Sequence, residues 1–280
     1  MEGNVQYKSL DHLAIGVKSR EESVAVFRDT LGMKLDRLAE SPGMGIYQAF
    51  FTYEDGRHLA LIEPMDQSNA VGRSVQNRGE GFYVLSIEIP SLEEAKAELG
   101  GKGVRLVNTE APRGPIFIHP RNAHGMFIQL TQRVWPDNTS GQPEHGFHPD
   151  AAYRWLDHVV VAVKDRDEAI ATHTDTLGFT LDRITVSEAL GIKQAFLRLE
   201  DGGVIELAEP LGPETPVGRA LERRGEGVYL IALAVKDVAT RVQALKANGV
   251  QVIGGEKPGE QAFIHPRSAR GVLIQLVERP

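Results

Sequence analysis

Histidine is the side chain in this sequence best suited to acid–base chemistry, and two of its occurrences are matched. Asp11-His12 recurs as Asp157-His158, 146 positions later. Cysteine is absent, which excludes disulfides, thiolate metal ligands and thiolate nucleophiles. Because an imidazole exchanges a proton near neutral pH, His12 and His158 are the first candidates for a chemical role.

Other segments recur at the same spacing without a gap. They are Gln48-Ala49-Phe50 with Gln194-Ala195-Phe196, Arg78-Gly79-Glu80-Gly81 with Arg224-Gly225-Glu226-Gly227, His119-Pro120-Arg121 with His265-Pro266-Arg267, and Ile128-Gln129-Leu130 with Ile274-Gln275-Leu276. A period this long predicts two duplicated domains, not a solenoid of short repeats. We expect a first domain over 8–133, a Pro- and Gly-containing linker over 134–153 and a second domain over 154–280.

The elements of one copy can be predicted from apolar periodicity and capping residues. A strand over 10–17 carries His12, Ala14 and Gly16 on one small, polar face that suits a cavity wall. A capping box at Ser19 predicts a helix ending at Gly32, and strands over 33–39, 46–53 and 58–63 follow. The order repeats with a strand over 82–89, a helix from Ser91 and strands near 103–107, 115–118 and 126–131. The chain therefore holds four βαβββ modules of an α+β protein.

Composition limits the class of partner. The net charge is -7, with Lys and Arg interspersed among Asp and Glu, which argues against nucleic acid or an anionic membrane surface. No stretch approaches the roughly 18 apolar residues of a membrane span. The first residues lack an apolar signal core, so we expect a cytoplasmic protein whose partner is a small-molecule substrate or ligand.

The repeated motifs resemble a known superfamily. The motifs that carry the resemblance are Asp-His in the first strand, Leu-Gly after the first helix, Glu-Pro after the fourth strand, Arg-Gly-Glu-Gly before the fifth, and His-Pro-Arg followed by Gly-x-x-Ile-x-Leu. They are similar to those of the vicinal oxygen chelate (glyoxalase/bleomycin resistance/dioxygenase) superfamily, and most of all to those of methylmalonyl-CoA epimerases. The resemblance implies paired modules with curled mixed sheets around clefts, and a divalent metal that stabilises an enolate. Single-copy members commonly dimerise, so we expect the two domains to pair within this chain. A homodimer is left open.

The same resemblance identifies the expected metal ligands. It places three of them on His12, Gln48 and Gln129 in copy one, and on His158, Gln194 and Gln275 in copy two. The remaining ligand position falls on Val84 or Leu230, which cannot bind metal. Each set then offers one imidazole and two neutral amides, with no carboxylate, whereas zinc and iron sites use at least three strong donors. We therefore expect no cofactor. If a divalent metal does bind, these six residues are its ligands.

These residues predict a glyoxalase- or epimerase-like isomerase or lyase with a degenerate metal site. It would act on a small α-substituted carbonyl, carboxylic acid or thioester, with His12 or His158 transferring the proton and the glutamines holding an enolate oxygen. The position of the family's catalytic acid falls near Pro42 in copy one, while Glu188 in copy two stands one residue out of register. Its role as a substrate-binding residue is an expectation from that resemblance.

Several alternatives stay open. Arg73 and Arg219 can pair with a substrate carboxylate or lie solvated at the surface. The two His-Pro-Arg segments can contact coenzyme A or a phosphate group, or only shape a turn. The alternative function is a metal-free protein that binds or sequesters a small molecule. An extradiol-type dioxygenase is a distant third, because it needs two histidines and a glutamate around iron.

Overall fold

The structure is a computed structural model that describes residues 5–110, 114–132, 148–257 and 260–279. Most of the predicted linker, residues 134–147, lies outside the described residues. In chain order the first copy contains β1 (Ser9–Gly16), α1 (Arg20–Ala25), a π-helical segment (Val26–Thr30), β2 (Lys34–Ser41), β3 (Ile46–Thr52), β4 (His58–Pro64), α2 (Ala70–Arg78), β5 (Gly81–Glu88), α3 (Leu92–Gly101), β6 (Leu106–Val107), β7 (Ile116–Ile118) and β8 (Ile128–Thr131).

The second copy repeats this order. Its elements are β9 (Leu156–Ala162), α4 (Arg166–Ala171), a π-helical segment (Thr172–Thr176), β10 (Thr180–Ser187), β11 (Ile192–Arg198), β12 (Val204–Pro210), α5 (Pro216–Arg224), β13 (Gly227–Val235), α6 (Val238–Ala247), β14 (Val252–Gly254), β15 (Ala262–Ile264) and β16 (Ile274–Glu278). The predicted α+β class and the four βαβββ modules are confirmed.

Each copy forms one eight-stranded mixed sheet. The strand orders are β2-β3-β4-β1-β5-β8-β7-β6 and β10-β11-β12-β9-β13-β16-β15-β14. Within the sheets β1 runs parallel to β4 and β5 parallel to β8, whereas β2, β3 and β4 form an antiparallel meander. Both meanders carry a register shift at matching places, between Leu35 and Arg37 and between Leu181 and Arg183. A shift of this kind re-aims the following side chains.

Local sequence explains the helices and their positions. Ser19 and Ser91 accept the backbone N–H groups of Glu22 and Glu94, so both expected N-caps are confirmed. The first helix packs on β3 and β4 and buries Phe27 completely, but its last turn is π-helical. Helix α2 was not predicted. Among the described residues, no helix is long and apolar enough to cross a membrane.

The chain divides into two compact units, and each draws on both copies. The first unit takes in described residues within Met1–Asp11, Val84–Trp135 and His158–Tyr229, and the second those within His12–Tyr83, Pro136–Asp157 and Leu230–Pro280. Each unit thus joins the first module of one copy to the second module of the other. The domain boundaries drawn from the repeat remain a prediction.

Matching tyrosines join the copies within each unit. In the first unit the Tyr7 hydroxyl donates to the Leu177 carbonyl oxygen at 2.6 Å. In the second unit, the hydroxyl of Tyr153 donates to the Leu31 carbonyl oxygen at 2.9 Å. Both rings are buried, and burial raises the pKa of each hydroxyl. The duplicated halves therefore contact each other through the same pair of groups twice.

Candidate functional site

A buried glutamate, Glu206, lies at the centre of the polar face of β9–β12. Sheet register places it opposite Phe196 of β11 and opposite Val160 of β9. His158 lies on the same face of β9, in register with Val204, two residues before Glu206 on β12. Paired residues of neighbouring strands project to the same side of a sheet. The fold therefore brings an imidazole and a carboxyl together in the first unit.

Glu206 is held by a short chain of polar contacts. Gln194 donates from Nε2 to Glu206 Oε1 at 2.7 Å, and the Thr185 hydroxyl donates to Gln194 Oε1 at 3.1 Å. The other carboxyl oxygen, Oε2, lies 3.8 Å from His158 Nε2, which is beyond direct hydrogen-bonding distance but within reach after a small rotation. The Gln194 amide thus fixes Oε1 of Glu206, while Oε2 faces the imidazole of His158.

Burial changes the acidity of this carboxyl. Glu206 is 6% exposed and Gln194 is 9% exposed. Burial raises the pKa of Glu206, while the hydrogen bond from Gln194 and the charges of His158 and Arg183 act in the opposite direction. A carboxyl with a raised pKa is a better proton donor and acceptor near neutral pH than an ordinary surface glutamate.

Glu206 corrects the interpretation that neither set contains a carboxylate. Gln194, expected as a metal or substrate ligand, instead donates to a glutamate that lies outside the repeated motifs. The available signal was chemical: Glu206 stands between the apolar pairs Val204-Ile205 and Leu207-Ala208, and a glutamate is rarely buried without a partner. In copy one the position 146 residues earlier is Ala60, so the carboxyl is not duplicated.

Copy one places a second imidazole on the corresponding face. In the second unit His12 of β1 is in register with His58 of β4, which is 7% exposed. His58 Nε2 lies 3.2 Å from Asp36 Oδ2. The rings of His58 and Phe50 are nearly perpendicular, at 85°, with their centroids 6.0 Å apart. The repeat gives no indication of His58, because its counterpart in copy two is Val204.

An arginine stacks on an aromatic ring beside each set. The Arg183 guanidinium lies 3.9 Å from the centroid of Phe196, and Arg37 lies 4.2 Å from that of Phe50. Both follow the register shift in the edge strand. Each copy therefore presents a positive charge over an aromatic ring on its polar face.

The remaining glutamines are divided between the two units. Gln48 is half-buried on β3 of the second unit. Gln129 on β8 of the first unit donates from Nε2 to the Ser86 hydroxyl at 3.3 Å. Gln275 on β16 of the second unit is in register with Ala232, which has no hydroxyl. The expected grouping of each histidine with both glutamines of its copy remains a prediction.

Other candidates from the sequence lie in surface loops and helices. Arg73 and Arg219 are exposed, and each donates to a backbone carbonyl oxygen five residues earlier, in Ser68 and Glu214. Glu188 is exposed in the turn before β11. None of these contacts shows a role in substrate binding, so their assignment remains a prediction.

The His-Pro-Arg segments form matching 3-10 turns. The Nδ1 atoms of His119 and His265 accept the backbone N–H groups of Arg121 and Arg267 at 3.2 and 3.1 Å. These contacts support the interpretation that the segments shape a turn in both copies. The arginine side chains take no part in these contacts.

The donor set does not fit a tightly bound metal ion. Around Glu206 the strong donors are one imidazole and one carboxyl, and the nearby amide is already bonded to that carboxyl and to Thr185. Within the part of the chain that the structure describes, no group of three or more histidine, aspartate or glutamate side chains could hold a metal. Zinc and iron sites need more strong donors than this. We therefore assign no step to a metal.

Comparisons with known proteins agree with the duplicated fold. Residues 11–118 and 157–264 both match the Glyoxalase/Bleomycin resistance protein/Dioxygenase superfamily. The chain is 33% identical to the uncharacterised protein YqjC of Bacillus subtilis, over 44% of this chain and 91% of that protein. It is 31% identical to ethylmalonyl-CoA/methylmalonyl-CoA epimerase of Cereibacter sphaeroides, over 43% of this chain and 95% of that protein.

A solved structure shows the same arrangement over nearly the whole length. A mutant 4-hydroxymandelate synthase of Streptomyces coelicolor gives a TM-score of 0.72 over 98% of this chain and 93% of that one, at 15% identity. At that identity the likeness shows the fold alone. The matches to both halves show that the chain belongs to the Glyoxalase/Bleomycin resistance protein/Dioxygenase superfamily, the vicinal oxygen chelate proteins that its motifs resemble.

Proposed function

We propose that this protein is a proton-transferring isomerase or lyase whose acid–base centre is His158 and Glu206 in copy two. The substrate is a small α-substituted carbonyl compound, carboxylic acid or thioester. One observation carries the proposal: a buried carboxyl of raised pKa, oriented by an amide, lies 3.8 Å from an imidazole on the same sheet face. Superfamily membership supports this class of chemistry.

The two groups can divide the proton transfer between them. One removes the proton on the carbon next to the carbonyl, and the other returns a proton to that carbon. The electron pair left by the C–H bond moves into the carbonyl to give an enolate. An epimerase needs both directions of transfer, and one relative carries that name. A thioester substrate is therefore part of this proposal.

Gln194 orients the acid and can stabilise the enolate. Its amide nitrogen carries two N–H donors, of which one is given to Glu206. A second donor aimed at the enolate oxygen stabilises developing negative charge in a water-poor site. Thr185 fixes the amide by donating to its oxygen, so the nitrogen faces Glu206.

Copy one supports binding without this chemistry. Ala60 replaces the central carboxyl, while His12, Gln48 and the stacked Arg37 and Phe50 keep their places on the face. Such a surface can hold a small molecule, but its nearby carboxyl, Asp36, is paired with His58 at 3.2 Å, and an alanine stands at the place of the buried glutamate. The metal-free binding alternative therefore applies best to this half of the chain.

Deuterium exchange tests the proposed function. The protein is incubated in D2O with methylmalonyl-CoA as the probe, and incorporation at the α-carbon is followed by NMR. We expect exchange by the native chain, and a loss of about 10²- to 10⁴-fold in Glu206→Gln. Glu200→Gln, a surface glutamate of the same copy paired with Lys8, is the matched control and should retain exchange.

Two results would contradict the proposal. The first is exchange that survives unchanged in a folded Glu206→Gln protein. The second is binding of the thioester with no exchange in the native chain, which would favour the binding alternative for both copies. Circular dichroism of each variant separates loss of chemistry from loss of fold.

A further inference from the structure

A second site is indicated by an open cavity in the second unit. It has a volume of about 560 Å³ and is lined by Val26, Glu80, Pro266, Arg267, Arg270 and Gly271. This volume is within the range of small-molecule sites. The cavity shares no residue with the His158–Glu206 centre, so a ligand site there is independent of the proposed function.

Arg270 in this cavity is incompletely bonded. Its Nη1 lies 3.5 Å from Glu80 Oε2, and its Nη2 lies 3.6 Å from Glu22 Oε2. Charge-assisted hydrogen bonds are normally about 2.7–2.9 Å long. Its Nε atom is buried and has no hydrogen-bond partner among the described residues. A guanidinium has five N–H donors, so Arg270 retains capacity for an acceptor.

The backbone holds Arg270 in a costly conformation. Its φ is 48°, in the left-handed region that favours glycine. The next residue, Gly271, lies so close to Glu80 that an added Cβ would be 2.1 Å from the Glu80 carbonyl oxygen. The turn therefore presses this segment against Glu80.

The matching corner of the first unit is filled differently. There His124, with φ 44°, occupies the place of Arg270, and Glu226 that of Glu80. His124 Nδ1 lies 3.2 Å from Glu226 Oε1, and its ring stacks on that of His173 at 5.5 Å. The same backbone turn thus carries a bonded, stacked side chain in one unit and an arginine with unmet donors in the other.

We propose that Arg270 and Arg267 form a binding site for a small oxyanion, such as the phosphate or carboxylate group of a metabolite. Two guanidinium groups at one cavity can match two oxygens of a single anion. Glu80 contacts only one nitrogen of Arg270, Nη1 at 3.5 Å through Oε2, while its Oε1 accepts the Lys18 N–H at 2.8 Å. Glu22 is 71% exposed at its side chain and is readily displaced into water.

Calorimetric titration of the full chain with inorganic phosphate, and separately with acetate, tests this site. We expect saturable binding of one anion, weakened at least tenfold by Arg270→Gln and by Arg267→Gln. Arg267 is exposed, so its variant keeps the fold if Arg270→Gln does not. Arg270→Lys retains the charge but not the fork, and should bind less tightly than the native chain. The matched control is Arg121→Gln, the counterpart of Arg267 in copy one, which should bind like the native chain.

Each result of the titrations either supports or contradicts the proposed anion site. Tighter binding of phosphate identifies a phosphoryl group as the recognised anion, and tighter binding of acetate identifies a carboxylate. The proposal is overturned if neither anion binds saturably. It is also overturned if folded Arg267→Gln binds as the native chain does, or if Arg121→Gln weakens binding equally.

Discussion

Copy one and copy two share a backbone but carry different polar groups at matching positions. Copy two has Glu206 where copy one has Ala60, and His173 where copy one has Phe27. Copy one instead pairs His58 with Asp36 on its polar face. The strand order and register are the same in both sheets. The two copies therefore keep the same scaffold and differ in their polar groups, with the oriented buried carboxyl of Glu206 in one half and an alanine at its place in the other.

The largest difference in stability should come from the buried histidine. His173 is fully buried, and burial lowers its pKa from 6.5 to about 4. The unfolded chain binds this proton more readily, so stability is lost as the pH falls from 6.5 towards 4. We expect a loss of about 2 kcal/mol at pH 5 relative to pH 7, and its absence in His173→Phe. Urea unfolding at both pH values measures it.

The reverse substitution is the control for this prediction. Phe27→His places the imidazole at the matching buried position of copy one, and should add a second acid-sensitive step of the same sign. Equal loss of stability by the native chain and His173→Phe between pH 7 and pH 5 would show that another group is responsible.

A smaller difference should separate the two amides. Gln194→Leu removes the hydrogen bond to buried Glu206. Gln48→Leu removes no such bond, because Ala60 occupies the place of Glu206 in copy one. We expect Gln194→Leu to lower the free energy of unfolding by about 1 kcal/mol more than Gln48→Leu does. Denaturant unfolding at pH 7 gives both values. Equal losses would mean that the Gln194–Glu206 contact does not contribute to stability.

The smallest effect should appear in the pH profile of proton exchange. Arg183, stacked on Phe196, lowers the pKa of Glu206 against the larger effect of burial. Arg183→Gln should therefore move the acid limb of the exchange rate to higher pH. The shift should shrink with added salt, because Arg183 is about half exposed. Arg37→Gln in copy one should leave the profile unchanged, and a shift in that variant would place the active carboxyl elsewhere.

Most of the fold could be predicted from the sequence because most of its elements have a local cause. Alternating apolar residues predict the strands, and Ser19 and Ser91 predict two helix starts. Helix α2 was missed because Gly72 interrupts it and few apolar residues mark its buried face. That glycine is needed for packing, since an added Cβ would lie 2.4 Å from the Gln67 carbonyl oxygen.

The site could be predicted only in part, because it depends on register between strands. The sequence offers His158 and Gln194 as candidates, but the contact of Gln194 with Glu206 requires β11 to align with β12. Period-2 alternation within one strand says nothing about that alignment. The repeat gives no indication of Glu206 and His58, because the two copies carry different residues at these positions.

The sharing of modules between the two units has a consequence for how the chain is made. The bond from Tyr7 to Leu177 spans 170 residues of sequence, and that from Asn248 to Thr30 spans 218. Contacts this distant close late and slow the search for the native state. During translation the first copy leaves the ribosome before its partner modules exist, so neither unit is complete until the second copy follows. Until then, the surfaces of the first copy that contact the second stay exposed to solvent. We expect the chain to depend most on chaperones during this period.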